Sequence, residues 1–67
     1  MGFGKNPYVA KAQAAEEKAS TARDDASRER ALLEAAHEWD RAAEKEKPGK
    51  KRAEYEAEAE RVRQTLA

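Results

Sequence analysis

The single histidine is the first residue of this 67-residue chain to consider for chemistry. Glu34 stands three positions before His37, and this spacing puts both side chains on one face of a helix. The same i, i+3 pair provides ligands in carboxylate-bridged di-iron bundles. Such a site needs a second pair from a facing helix, and the chain contains only one. The residues therefore predict a metal site only if chains self-associate.

A second distinctive cluster is basic and surrounds the Pro48-Gly49 pair. Its members are Lys45, Lys47, Lys50, Lys51 and Arg52. Basic clusters can contact phosphate groups, but here a run of glutamates follows and offsets the charge. Those glutamates are Glu54, Glu56, Glu58 and Glu60. We therefore expect no binding of nucleic acid. The alternative hypothesis is a nucleic-acid accessory protein that uses the turn lysines.

The patterns on which catalysis usually depends are missing from the sequence. It has no cysteine, no glycine-rich phosphate loop and no nucleophile paired with a base. Fourteen basic and fourteen acidic residues balance, so no net charge attracts nucleic acid or a membrane. No apolar run approaches the ~20 residues that span a bilayer, and the N-terminus lacks the apolar core of a signal peptide. We predict a non-enzymatic, cytoplasmic protein that binds no membrane and needs no cofactor.

The elements that carry these residues are predicted to be helices. Between Arg30 and Glu46, apolar residues recur at steps of four, three and four, the period of a helix face. This stripe consists of Leu32, Ala36, Trp39 and Ala43, widened by Leu33, Ala35 and Ala42. The only tryptophan lies in the middle of the stripe, so we expect Trp39 to be a core residue.

The clearest break in the sequence is Pro48-Gly49, a turn pair. The stripe is then repeated at the same steps by Tyr55, Ala59, Val62 and Leu66. A link this short makes two helices antiparallel, which sets Tyr55 beside Trp39 and Ala43. At the other end of this hairpin the expected contacts join Val62 and Leu66 with Leu32 and Leu33.

An earlier amphipathic segment begins at Asn6-Pro7, which reads as a helix N-cap followed by the first helical residue. Its apolar positions repeat like a coiled-coil heptad, and we call them the alanine seam: Tyr8, Ala12, Ala15, Ala19, Ala22 and Ala26. Alanine favours helix but buries little area, so we expect the seam to need cover. Residues 1–6 are expected to form a flexible leader, because Gly2 and Gly4 disfavour helix.

The segment Ser20–Ser27 decides between two architectures. It contains neither glycine nor proline, which permits a continuous helix. Its serine, threonine and aspartate residues instead favour caps and turns, and Thr21 with Asp24 resembles a capping box. On the local chemistry we favour the continuous helix, while a break near Arg23–Ser27 is the alternative.

The predicted fold is all-α, in a single helical domain over residues 7–67. The favoured form is an antiparallel helical hairpin with a long first helix over residues 7–46, a turn at 47–49 and a second helix over 50–66. The alternative break gives a three-helix bundle.

Two parts of the sequence resemble modules of the microtubule-interacting-and-transport type, which are themselves similar to tetratricopeptide hairpins. The first part is Ala35-Ala36-x-x-Trp39-x-x-Ala42. The second comprises Arg52, Glu54, Tyr55, Ala59, Glu60, Arg61 and Val62. The resemblance covers most of residues 8–66. It implies capture of a short partner helix in a groove between helices, and it assigns no role to individual residues.

We predict a small non-enzymatic protein–protein interaction or assembly module. The alanine seam is expected to pack against a second copy or against a helix of another protein, so that the chain is a homo-oligomer or binds a helical segment. The predicted partner-binding residues are Phe3, Tyr8, Ala12, Ala15, Ala19, Ala22 and Ala26. An alternative is a metal-dependent bundle formed by self-association through Glu34 and His37.

Overall fold

The structure, a computed structural model, describes residues 6–66. It contains three α-helices over this range: α1 spans Pro7–Ser20, α2 spans Asp25–Lys45 and α3 spans Lys50–Leu66. No strand occurs among these residues, and the all-α prediction is confirmed. None of the three helices is both long enough and apolar enough to cross a membrane.

The central helix is α2, which packs against both neighbours. Turns at residues 21–24 and 46–49 reverse the chain, so α1 and α3 run parallel to each other and antiparallel to α2. In the second turn Gly49 has a φ of 156°, which other residues rarely adopt. The backbone measures 36 × 25 × 12 Å, so the helices form a thin layer with α1 and α3 on either side of α2.

The expected continuous helix over residues 7–46 is wrong, and the alternative with three helices is correct, with the break at residues 21–24, slightly before the expected Arg23–Ser27. The reason is the start of α2, where the Asp24 carboxylate accepts a hydrogen bond from the Ser27 backbone N–H at 2.7 Å. Asp24 has an extended backbone and is itself the N-cap, rather than the third helical residue of a box begun by Thr21. In a continuous helix the Ser27 N–H would donate to a backbone carbonyl oxygen. Here it donates to the Asp24 carboxylate instead, and this side chain begins a new helix.

The end of α1 is stabilised in a similar way. The Ser20 hydroxyl donates to the Glu17 carbonyl oxygen at 2.8 Å, and the Thr21 hydroxyl donates to the Lys18 carbonyl oxygen at 3.2 Å. The same two carbonyl oxygens accept from the Thr21 backbone N–H, at 3.2 and 3.3 Å, so the hydroxyls add a second donor to each at the end of α1.

The core lies along α2 and is filled mainly by alanine. It comprises Ala12, Ala15, Ala35, Ala36, Trp39, Ala42, Ala59 and Val62, with Tyr8, Val9, Leu32 and Tyr55 packed against it. Trp39 is 5% exposed, and its ring stacks on that of Tyr55 with centroids 5.8 Å apart. The predictions that Trp39 is a core residue and that Tyr55 lies beside it are confirmed.

Leu33 departs from the predicted core. It is 59% exposed, whereas the preceding Leu32 packs against the core. Successive helical residues point about 100° apart, so only one of two neighbouring leucines can face α3 fully. The expected burial of Leu33 against the end of α3 is therefore wrong.

Asn6 joins the start of α1 to the end of α2. Its side-chain oxygen accepts from the Tyr8 backbone N–H at 3.2 Å, which confirms the predicted N-cap. Its amide nitrogen donates to the Ala42 carbonyl oxygen and to the Glu46 carboxylate, each at 3.0 Å. The Ala42 carbonyl belongs to the last turn of α2 and lacks an intrahelical partner. One side chain thus caps two helices.

We expect Asn6→Ala to lower the free energy of unfolding by about 1–3 kcal/mol, because it removes a helix cap and leaves a carbonyl at the end of α2 without a donor. Urea denaturation followed by circular dichroism would measure the loss. Asn6→Asp is the matched control, since it retains the cap acceptor but cannot donate to Ala42 and places a charge beside Glu46. An alanine variant as stable as the wild type would contradict the double-cap role.

The Asp24 cap makes stability depend on pH. The hydrogen bond from the Ser27 backbone N–H lowers the pKa of Asp24 below its ordinary value of 3.8. A lowered folded-state pKa stabilises the fold at pH values above the unfolded-state pKa, and this contribution is lost as the pH falls through the folded-state pKa. Asp24→Asn retains an acceptor that does not titrate. We therefore expect the wild type to be more stable than Asp24→Asn at neutral pH and to lose that advantage in acid, as measured by denaturation at each pH.

Candidate functional site

A groove of about 520 Å³ runs along one face of the layer, between α1 and α3. It is lined by Val9, Gln13 and Glu16 from α1, by Trp39 from α2, and by Glu54, Tyr55, Glu58 and Arg61 from α3. The two walls therefore rise from helices that run parallel, and each wall uses residues at steps of four and three. Seven residues of helix extend about 10 Å, so the groove is two turns long.

The floor of the groove is aromatic and fixed in place. Trp39 lies almost wholly within the core, while the stacked Tyr55 is half-buried and presents part of its ring. The indole N–H of Trp39 donates to a carboxylate oxygen of Glu16 at 2.7 Å. Because the indole has only this donor, the hydrogen bond satisfies the polar group of Trp39 completely.

One end of the groove is closed by Arg61. Its guanidinium donates to both carboxylate oxygens of Glu16, at 2.8 and 2.9 Å, and also to Glu58 at 2.8 Å. These hydrogen bonds raise the pKa of Arg61, and the bond to Glu16 has a larger effect than the bond to Glu58. The side chain thus crosses from α3 to α1 and links the two helices directly.

Among residues 6–66, no hydrogen bond or ion pair joins α1 to α3 at the opposite end of the groove, which is therefore open in this part of the chain and carries an acidic residue. Glu54 is exposed and forms no ion pair with any residue from 6 to 66. Three carboxylates and one guanidinium line the groove, which gives it a net charge of −2 at neutral pH. The groove therefore combines an aromatic floor with an acidic rim.

The structure places most of the alanine seam inside the chain. Ala12, Ala15 and Ala19 are at most 4% exposed. Ala22 lies half-buried in the first turn, and Ala26 is exposed at the start of α2. This corrects the expectation that a second copy or another protein covers the whole seam, because α2 of the same chain covers its three central alanines.

The predicted anchor Tyr8 lies away from the groove. Its half-buried ring has the Lys11 ammonium 5.3 Å and the Arg41 guanidinium 5.8 Å from its centroid. It lines a second, more polar cavity that includes His37. Phe3 lies outside the described residues. Contact of either aromatic residue with a partner stays a prediction.

The residues of the metal hypothesis make other contacts. Glu34 pairs with Lys18 at 3.6 Å, and a ring nitrogen of His37 accepts from Arg41 at 3.1 Å. Over the range that the structure describes, no three histidine, aspartate or glutamate side chains gather as a metal site would require. The fold therefore brings no further ligand to this pair.

The basic cluster lies around the second turn. Its four lysines are exposed, and Arg52 pairs with Glu56 at 3.3 Å along α3. The fold places no aromatic platform among them, since Trp39 and Tyr55 belong to the core and the groove.

The sequence contains a signal for the groove in the spacing of its wall residues. On α1 the wall residues follow the alanine seam by one position, and on α3 they precede the apolar stripe by one position. Apart from Val9, these wall residues are polar, and they border the two faces that are buried in the core. Recognising that these edges meet requires the break at residues 21–24, which brings α1 alongside the hairpin.

No family model, curated protein or solved structure matches this chain. The resemblance to microtubule-interacting-and-transport modules accordingly stays a prediction.

We expect Glu16→Ala to lower the free energy of unfolding by about 1–3 kcal/mol, because it leaves the buried indole N–H without its acceptor. Glu16→Gln retains an oxygen for the indole and loses the charge facing Arg61, so its loss should be smaller. Chemical denaturation followed by circular dichroism, together with the emission wavelength of Trp39, would measure both. Equal losses for the two variants would contradict the role given to the indole hydrogen bond.

Proposed function

We propose that this chain is a small non-enzymatic protein–protein interaction module whose α1–α3 groove receives an amphipathic helix of another protein. The observation that carries the proposal is the form of the groove, in which two parallel helix edges flank a stacked aromatic floor. In helix-in-groove recognition, the apolar face of a bound helix lies between two such edges.

The groove offers the two kinds of surface that binding sites combine. Tyr55 and Val9 are half-buried in the free chain and retain apolar area that a partner can cover. Tyrosine and tryptophan are enriched among the residues that dominate binding energy. Around them, Gln13 and Glu54 are exposed and form a polar rim. A helix with one apolar edge and polar flanks would cover the apolar area and form polar contacts with the rim.

The composition of the core gives a further reason to expect a partner. Nine of the eleven buried hydrophobic residues in the described part of the chain are alanine, and the other two are Trp39 and Val62. Alanine buries little area, so the folded chain gains modest hydrophobic stabilisation from its own contacts. A ligand that binds only the folded state adds to its stability.

A synthetic helical peptide with leucine along one edge and lysine on its flanks would test the proposal. When it is titrated into isotopically labelled protein, we expect saturable changes in the NMR signals of Val9, Gln13, Tyr55 and the Trp39 indole. Tyr55→Ala should weaken binding by about tenfold or more, since it removes an aromatic contact surface.

Leu33→Ala is the matched control, because it removes a large exposed apolar side chain that does not line the groove. It should leave the affinity unchanged. Signal changes confined to residues outside the groove, or none at millimolar peptide, would refute the proposal. Changes in the groove signals on dilution of the protein alone would show that a second copy occupies the groove instead of another protein.

A further inference from the structure

The two walls of the groove differ in charge. On the α1 wall, Val9 and Gln13 are uncharged, and the carboxylate of Glu16 is already bound by the Trp39 indole and by a guanidinium. On the α3 wall, Glu54 has no ion-pair partner among residues 6–66. The negative charge that remains available therefore lies along one edge.

The position of Arg61 also gives the groove a direction. It binds Glu58 through one oxygen, at 2.8 Å, and leaves that carboxylate partly neutralised. Glu54 lies seven residues before Arg61, which is about 10 Å along the helix axis. The carboxylate that has no ion pair among residues 6–66 therefore lies towards the open end of the groove, away from Arg61.

We infer that the helix bound in this groove carries two basic side chains, four residues apart, on the edge that faces α3. The inference rests on the proposed function and specifies the partner. Glu54 and Glu58 are themselves four residues apart, so their spacing of about 6 Å matches one turn of a bound helix. Opposite charge at this edge selects the partner and its orientation, whereas an acidic helix meets like charge.

Two peptides that differ only at this edge would test the inference. One carries lysine at two positions four residues apart, and the other carries glutamate at the same positions; both keep the leucine edge. At low ionic strength we expect the wild-type chain to bind the lysine peptide about tenfold more tightly than the glutamate peptide. The double variant Glu54→Lys, Glu58→Lys should reverse this preference, as measured by titration calorimetry.

The double variant Glu56→Lys, Glu60→Lys is the matched control. It makes the same charge change on the same helix, at exposed residues four positions apart that do not line the groove. It should retain the preference for the lysine peptide. Circular dichroism of all variants would verify that each remains folded.

The outcomes separate the inference from the proposed function. Equal affinity of the wild type for both peptides would overturn the inference and leave the proposed function standing. Failure of both peptides to bind would overturn the proposed function itself. Loss of the preference in the Glu56→Lys, Glu60→Lys control would assign the effect to net charge and would also overturn the inference.

Discussion

The arrangement of the three helices depends on the hydrogen bonds that the Glu16 carboxylate accepts from the other two helices. This carboxylate accepts the indole N–H of Trp39 from α2 and the guanidinium of Arg61 from α3, so one side chain of α1 fixes both neighbours. Interfaces of small residues lack the large interlocking side chains that usually determine how helices align. Hydrogen bonds are directional, and here they supply the alignment that alanine packing leaves undetermined. The groove exists because this contact holds α1 and α3 at a fixed separation across α2.

The parts of the fold that follow from local patterns could be predicted from the sequence. Periodicity predicts the core-facing stripe of α2 and the whole of α3, Pro48-Gly49 predicts the turn between them, and Asn6 predicts the start of α1. The choice between the break at residues 21–24 and a continuous helix could not be made from the sequence, because these residues are compatible both with helix and with caps. The outcome depended on whether Asp24 bonded to Ser27, a difference in energy too small to recognise from residue types.

The candidate site was harder to predict than the fold because its residues belong to different helices. Glu16 and Arg61 are 45 positions apart, and neither has a distinctive neighbour in the sequence. In a continuous first helix the alanine seam would lie uncovered, whereas the break buries its central residues against α2. The polar edges beside the two stripes then became the walls of a groove. The break at residues 21–24 thus moves the candidate binding surface from the alanine seam to the adjacent face of α1, which carries the wall residues of the groove.

The parallel course of α1 and α3 places the positive ends of two helix macrodipoles on either side of the negative end of α2. α1 and α3 have no acidic residue in the first turn, and α3 begins with Lys50, Lys51 and Arg52 at the end where cations are unfavourable. We therefore expect α3 to fray from this end, where Glu54 lies. Unwinding that continues into the second turn would remove Glu54 and Tyr55 from the groove and leave Ala59 and Val62 in place, so a ligand bound in the groove would extend the ordered part of α3.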